Sequence, residues 1–160
     1  MPGSTDKILE GFKIKQESIF DLGELYKTMV GWFEANDYKF SEKEYRHFGE
    51  GDHVELRWAA EKVLEGYAKI EITIDILILG MKKIEIDIEG AKSKSNQGTI
   101  EMVFKIDLIH DHEDKYSPWM RNIYEKFIIK KRLSFFKRIA EKESEDLINE
   151  VKSYLKLHQF

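Results

Sequence analysis

Residues 68–79 read Ala68-Lys69-Ile70-Glu71-Ile72-Thr73-Ile74-Asp75-Ile76-Leu77-Ile78-Leu79. Ala68, Ile70, Ile72, Ile74, Ile76 and Ile78 recur at every second position, and Lys69, Glu71, Thr73 and Asp75 fill the gaps. A period of two sends the two sets to opposite faces of a strand. Isoleucine, branched at Cβ, suits a pleated, half-buried surface. Leu77 and Leu79 make the end of the run apolar on both faces. The stretch predicts a long strand in an antiparallel sheet with one face buried and one charged.

Working outward, Gly80-Met81 is expected to turn the chain, after which Ile84, Ile86 and Ile88 alternate with Glu85, Asp87 and Glu89. Residues 90–98 read as a polar loop, and Ile100, Met102, Phe104, Ile106 and Leu108 form a last strand. Upstream, Val54, Leu56, Trp58 and Ala60 share a face across 53–63. That run is joined to 38–48 by Gly49-Glu50-Gly51-Asp52, a hairpin signal, and Gly66 marks a further break. Residues 1–10 read as a flexible start and 12–19 as a short strand. A helix follows, with Leu22, Leu25, Tyr26, Met29, Trp32 and Phe33 at helical spacing, Ser18 or Asp21 as cap and Asn36-Asp37 as stop.

The last third supplies a second helix. Ser117-Pro118 reads as N-cap and first helical residue, and no glycine or proline follows. Met120, Ile123, Tyr124, Phe127 and Ile128 define one apolar face. Ile129, Leu133, Phe136, Ala140, Leu147, Val151, Tyr154 and Leu155 define another, nearly opposite at about 100° per residue. Either the helix breaks near residues 129–134, or one long helix buries opposite sides against different surfaces. The expected fold is α+β, a single domain over 1–160. Its core is a long antiparallel meander of five to six strands, covered on one face by an N-terminal helix and a long C-terminal helix.

The chain has 160 residues, 42% of them hydrophobic and 35% charged, with a net charge of −4. That is enough apolar material for a core and argues against a disordered chain. No apolar run reaches the length of about 18 residues that a membrane-spanning helix needs. Cysteine is absent, which excludes disulfides, thiolate metal sites and thiol nucleophiles. Met1-Pro2-Gly3-Ser4-Thr5-Asp6 has neither a basic nor an apolar leader region, so no signal peptide and a cytoplasmic location are expected. A mild net negative charge speaks against a global pull on nucleic acid and leaves only local patches for it. No phosphate-cradling glycine loop, nucleophile elbow or His-Glu-x-x-His motif occurs, and no cofactor is expected.

The order of elements resembles the helix-grip fold of START-like and polyketide-cyclase-like proteins, in which a curved antiparallel sheet wraps a long C-terminal helix. The resemblance implies an apolar cavity and a lipid-like or aromatic ligand. It departs from the family in having one helix, not two, between the first and second strands. Trp58-Ala59-Ala60-Glu61-Lys62, Tyr67-Ala68-Lys69-Ile70 and Ile123-Tyr124-Glu125-Lys126-Phe127-Ile128-Ile129 are also similar to segments of uncharacterised small archaeal proteins, a likeness that carries no site residues.

Four candidate sites follow. Arg121, Lys126, Lys130, Lys131, Arg132, Lys137 and Arg138 face a single acid, Glu125, giving 121–138 a net +6 with Phe127, Phe135 and Phe136 interleaved. Such a helix suits a partner protein, a phosphate backbone or an anionic membrane surface, or is simply a solvated helix. The next stretch, 141–150, holds five acids and Lys142. Secondly, the charged sheet face, with Glu71, Asp75, Glu85 and Asp87, would receive a neighbour's basic helix, or else is a plain face of cross-strand ion pairs. Thirdly, His110 and His112 in His110-Asp111-His112-Glu113-Asp114 are two metal ligands of the right type without a third set by spacing, and His47 and His53 flank the hairpin turn. Fourthly, Trp32, Phe33, Trp58, Phe104, Trp119 and Tyr124 are large enough to line an interior pocket, or make ordinary core. The first reading of function is a non-enzymatic structural or interaction protein that associates with itself through its charge-segregated C-terminal helix and charged sheet face. The alternatives are a helix-grip binding protein or enzyme for a hydrophobic small molecule, and nucleic-acid binding through 121–138.

Overall fold

The computed structural model describes residues 4–48 and 52–157. The chain runs β1 (Thr5–Phe20), α1 (Leu22–Ala35), β2 (Lys39–Phe48), β3 (His53–Leu64), β4 (Ala68–Ile88), β5 (Ala91–Ile109), α2 (Pro118–Ile123), a π-helical turn (Tyr124–Ile128) and α3 (Lys130–Leu157). The strands form one antiparallel sheet in the order β1-β5-β4-β3-β2. Among the described residues three α-helices accompany it, so the architecture is α+β as the alternation predicts.

The alternating isoleucines set the core. Ala68, Ile70, Ile72, Ile74, Ile76 and Ile78 of β4 are all at most 2% exposed. Their neighbours in register continue the layer, with Trp58 opposite Ile74 and Ile74 opposite Phe104. Each buried isoleucine contributes about 1.5–3 kcal/mol relative to leaving it in water. The helices close this face. Leu25, Met29 and Phe33, four residues apart, descend from α1. Phe136, Ala140, Leu147, Ile148, Val151 and Leu155 descend from α3.

Local chemistry explains the element ends. The Asp21 side chain accepts from the Glu24 amide at 3.2 Å and caps α1. Ser18, the other expected cap, is fully buried and bonds Gln16 instead. Asn36 ends α1, its side chain donating to Trp32 O, and Asp37 takes the left-handed region at φ 64. Glu65-Gly66 and Glu89-Gly90 both have positive φ at each residue, the geometry of two-residue hairpin turns that match the twist of the flanking strands. Lys62 of β3 clamps α3, donating to Glu143 and to Asn36 O, and Tyr38 donates to the same Glu143 carboxylate at 2.6 Å.

Three expectations are corrected. Residues 5–10 are part of β1, paired from Thr5 with Ile109 onward. Register shifts at Lys7/Leu9 and Glu10/Phe12, with Gly11 at φ 76, interrupt the alternation and hid this half of the strand. Gly80-Met81 is not a turn. β4 passes through it with a register shift between Leu79 and Lys82, and both halves pair with β5, so the described residues form five strands. Residues 91–98 are strand, not loop, because the hairpin turns at Glu89-Gly90. The Gly49–Asp52 hairpin signal is flanked by paired β2 and β3, though residues 49–51 lie outside the described residues.

The C-terminal helix breaks. Ile129 has φ −116 and ψ 18, and its amide bonds Tyr124 O across five residues at 3.0 Å. That π-type turn changes the helical phase, and α3 restarts at Lys130 with its apolar side on the sheet.

Candidate functional site

The chain leaves β5 at Ile109 and is held by side chains until α2 begins. Asp111 takes φ 45, and its carboxylate accepts from the amides of Lys115 at 2.8 Å and Tyr116 at 3.1 Å. Arg121 of α2 donates Nε to the same carboxylate at 3.0 Å and a terminal nitrogen to Asp114 at 2.8 Å and Tyr116 O at 3.0 Å. Burial pushes the Asp111 carboxyl up, but the two amides and the guanidinium outweigh it and hold it below the usual carboxylate range.

One turn later, Glu125 Oε1 accepts from the Tyr67 hydroxyl at 2.6 Å and lies 3.0 Å from His110 Nδ1. His110 Nε2 lies 3.0 Å from Asp6 Oδ2. Each ring nitrogen therefore faces a carboxylate. Burial first, and the Glu125 carboxylate second, push the Tyr67 hydroxyl far above its ordinary range. The rings of Tyr67, Tyr116 and Tyr124 pack around this cluster, the last two stacked at 4.8 Å. Start of β1, turn before β4, end of β5 and the π-helical turn are thus joined by polar groups.

The consequence is an inverted helix. Arg121 and Glu125, four residues apart, point into the protein, their side chains 15% and 18% exposed. The apolar arc points out: Trp119 is 67% exposed, Phe127 80% and Ile128 67%, with Met120 and Ile123 also exposed. Phe135, at the start of α3, is exposed as well, beside Val63 and Glu65 at the end of β3. Lys126 lies within this stretch and Lys130, Lys131, Lys137 and Arg138 follow it in α3; all are exposed, and their side chains make no ion pair among the described residues. Arg132 is exposed too and lies 3.5 Å from Glu65. Large apolar side chains exposed together are uncommon on the surface of a monomer.

The other candidates fall differently. Phe33, Trp58 and Phe104 lie in the core, and Trp32 is half-buried with its ring 5.4 Å from Phe33. Phe33 and Trp58 both pack on Phe40, at 5.4 and 5.9 Å. Trp119 and Tyr124 are not among these residues: the first is exposed and the second belongs to the tyrosine cluster. A depression of about 460 Å³ lined by Lys39, Ser41, Ala59, Glu61, Glu71 and Thr73 opens on the outer sheet face. Glu61 and Glu71 stand directly opposite there, and Lys69 lies 3.5 and 2.8 Å from their carboxylates. Asp75 pairs with Arg57 at 2.6 Å. Glu71 and Asp75 therefore each pair with a basic side chain of the same sheet, Glu71 sharing Lys69 with Glu61. Glu85 is exposed, and the Asp87 side chain lies outside the described residues.

Among the described residues no group of three or more His, Asp or Glu is placed to hold a metal ion. Both His110 nitrogens face carboxylates, and the buried His112 Nε2 has no hydrogen-bond partner there. His53 stands opposite Phe48, not His47.

The sequence reading names Arg121, Glu125 and Asp111 but misses the network that joins them to Tyr67, His110 and Asp6. The spacing of Arg121 and Glu125 against Trp119, Ile123 and Phe127 signals an amphipathic helix, but not which side faces the protein. Asp6 lies in the half of β1 masked by bulges. The chain matches no family model and no curated protein.

Proposed function

We propose that this is a non-enzymatic interaction protein that docks through the inverted helix of residues 118–128. One observation carries the reading: the polar side of that helix is bonded inward through Arg121 and Glu125 while Trp119, Ile123, Phe127 and Ile128 face solvent. Apolar side chains exposed in this way contribute little to the monomer's stability, and covering them is favourable at roughly 25 cal/mol per Å². The inward bonds hold the helix in place before any partner arrives, which lowers the ordering cost of docking.

The test is a variant carrying Trp119→Ser, Phe127→Ser and Ile128→Ser. Its melting temperature is expected to stay within a few degrees of the parent, as for surface positions, while binding through this face is lost. A large fall in melting temperature would show that the residues serve the fold and would end the reading.

A second copy of the chain is one occupant. The opposite charges of 121–138 and 141–150 favour it, because a basic stretch of one copy can lie against an acidic stretch of the next. Sedimentation analysis at low and high salt tests this: oligomers that dissociate as salt rises support it, and a monomer at every salt concentration excludes it.

A further inference from the structure

We infer that the partner of the inverted helix is an anionic lipid surface. The inference rests on the docking reading above and names its occupant. Three features of the surface select it.

The first is chemical type. The outward groups are an indole, a phenyl ring, two isoleucines and a methionine, from Trp119, Phe127, Ile123, Ile128 and Met120. Aromatic and aliphatic side chains together, with lysines around them, match the boundary between headgroups and acyl chains, into which such helices sink about 5–10 Å. A nucleic-acid backbone would satisfy the lysines and leave the isoleucines and methionine in water.

The second is charge. The stretch 121–138 carries +6 in a chain whose total is −4, and 141–150 follows with five acids and one lysine. Opposite charges in successive stretches of the C-terminal helical region orient the molecule in the field of an anionic surface, basic end first. A two-fold pairing of copies centred on Phe127 would instead bring two +6 stretches together, and like charges across an interface are costly.

The third is rigidity and aim. Arg121 is bonded to Asp111, Asp114 and Tyr116 O, and Glu125 to Tyr67 and His110, and the Tyr124 ring stacks on Tyr116, so the helix is tied down by its inward side. A free amphipathic helix must choose between burying its apolar side on its own protein and on a membrane. Here that choice is already made, and the lipid-facing side is the one left open.

The experiment is flotation of the whole chain with vesicles of phosphatidylcholine alone and of phosphatidylcholine mixed with phosphatidylglycerol, with circular dichroism and melting of every variant as folding controls. Binding is expected to the anionic vesicles and not to the neutral ones. It is expected to fall as ionic strength rises from about 0.1 M to about 1 M, where the screening length shrinks from about 10 to about 3 Å. The variant Lys126→Glu, Lys130→Glu, Lys131→Glu alters exposed side chains without ion pairs among the described residues, and should lower partitioning roughly 100-fold with melting unchanged. The serine variant at Trp119, Phe127 and Ile128 should lose binding even to anionic vesicles. Equal binding to both vesicle types, or salt-insensitive binding, overturns the inference. So does a protein that ignores vesicles but oligomerises, or binds a single-stranded oligonucleotide, through the same residues. In those cases the docking reading stands and only the occupant changes. If the serine variant unfolds, the docking reading itself falls.

Discussion

The Asp111 carboxylate and the Arg121 guanidinium meet at 3.0 Å where the sheet ends and the helices begin, and both side chains are largely withdrawn from solvent. Asp111 bonds backwards and forwards at once, to the turn at Lys115 and Tyr116 and to α2. It is the joint on which the inverted helix hangs.

Replacing Asp111 with Asn therefore tests the joint. The folded-state carboxyl titrates below the unfolded one, so its contribution is present above the unfolded value near 3.9 and is lost as pH falls through the folded value. Asp111→Asn is expected to lower stability by about 2 kcal/mol at neutral pH, and the gap to the parent should close in acid. Urea midpoints at pH 7 and pH 3 measure both. A gap that stays constant with pH would show that the charge contributes nothing.

Two adjacent phenylalanines separate core from surface. Phe136 is 1% exposed and sits in the core cluster, whereas Phe135 is 49% exposed. Phe136→Ala should cost about 3–5 kcal/mol, and Phe135→Ala less than about 0.5 kcal/mol. Denaturant unfolding of the two single variants decides it, and similar losses would contradict the orientation of α3.

The Lys62–Glu143 pair links β3 to α3, with side chains 15% and 14% exposed. Removing Lys62 alone leaves a carboxylate with reduced compensation in a mostly dry place, and should cost about 3 kcal/mol. Replacing both partners, Lys62→Met with Glu143→Leu, should restore most of that loss. A double variant no better than the single one would mean that the pair is not coupled.

Alkaline behaviour should reflect the buried tyrosines. Burial first, then Glu143, pushes the Tyr38 hydroxyl above its ordinary range, and burial with Glu125 does the same to Tyr67. A raised folded value gives stability that is complete below the unfolded value near 10 and is lost as pH rises past it. Tyrosinate absorbance should therefore rise in two steps, the second coinciding with loss of circular dichroism. Tyr38→Phe and Tyr67→Phe should each diminish that second step. A single reversible step in folded protein would refute the assignment.

The alternation from Ala68 to Ile78 was legible because burial on one face demands a period of two, and nothing local disturbs it. The same rule misled wherever backbone irregularities intervened. The bulges around Gly11 broke the pattern of β1, and Gly80, at φ 63, resembled a turn although β4 continues past it. Residues 91–98 looked like loop because they offer no apolar face, yet they pair in register with β4.

The amino-acid sequence by itself determined the α+β class, the apolar face of the sheet and the two incompatible apolar faces of the last helical region. Those follow from local spacing, which a chain carries without being folded. Only the tertiary structure decided that the first of those faces points outward. That outcome depends on where Asp6, Tyr67, His110 and Asp111, distant in sequence, place their polar atoms. Buried polar groups require partners, and by binding Arg121 and Glu125 they draw the polar side of the helix inward and leave its apolar side exposed.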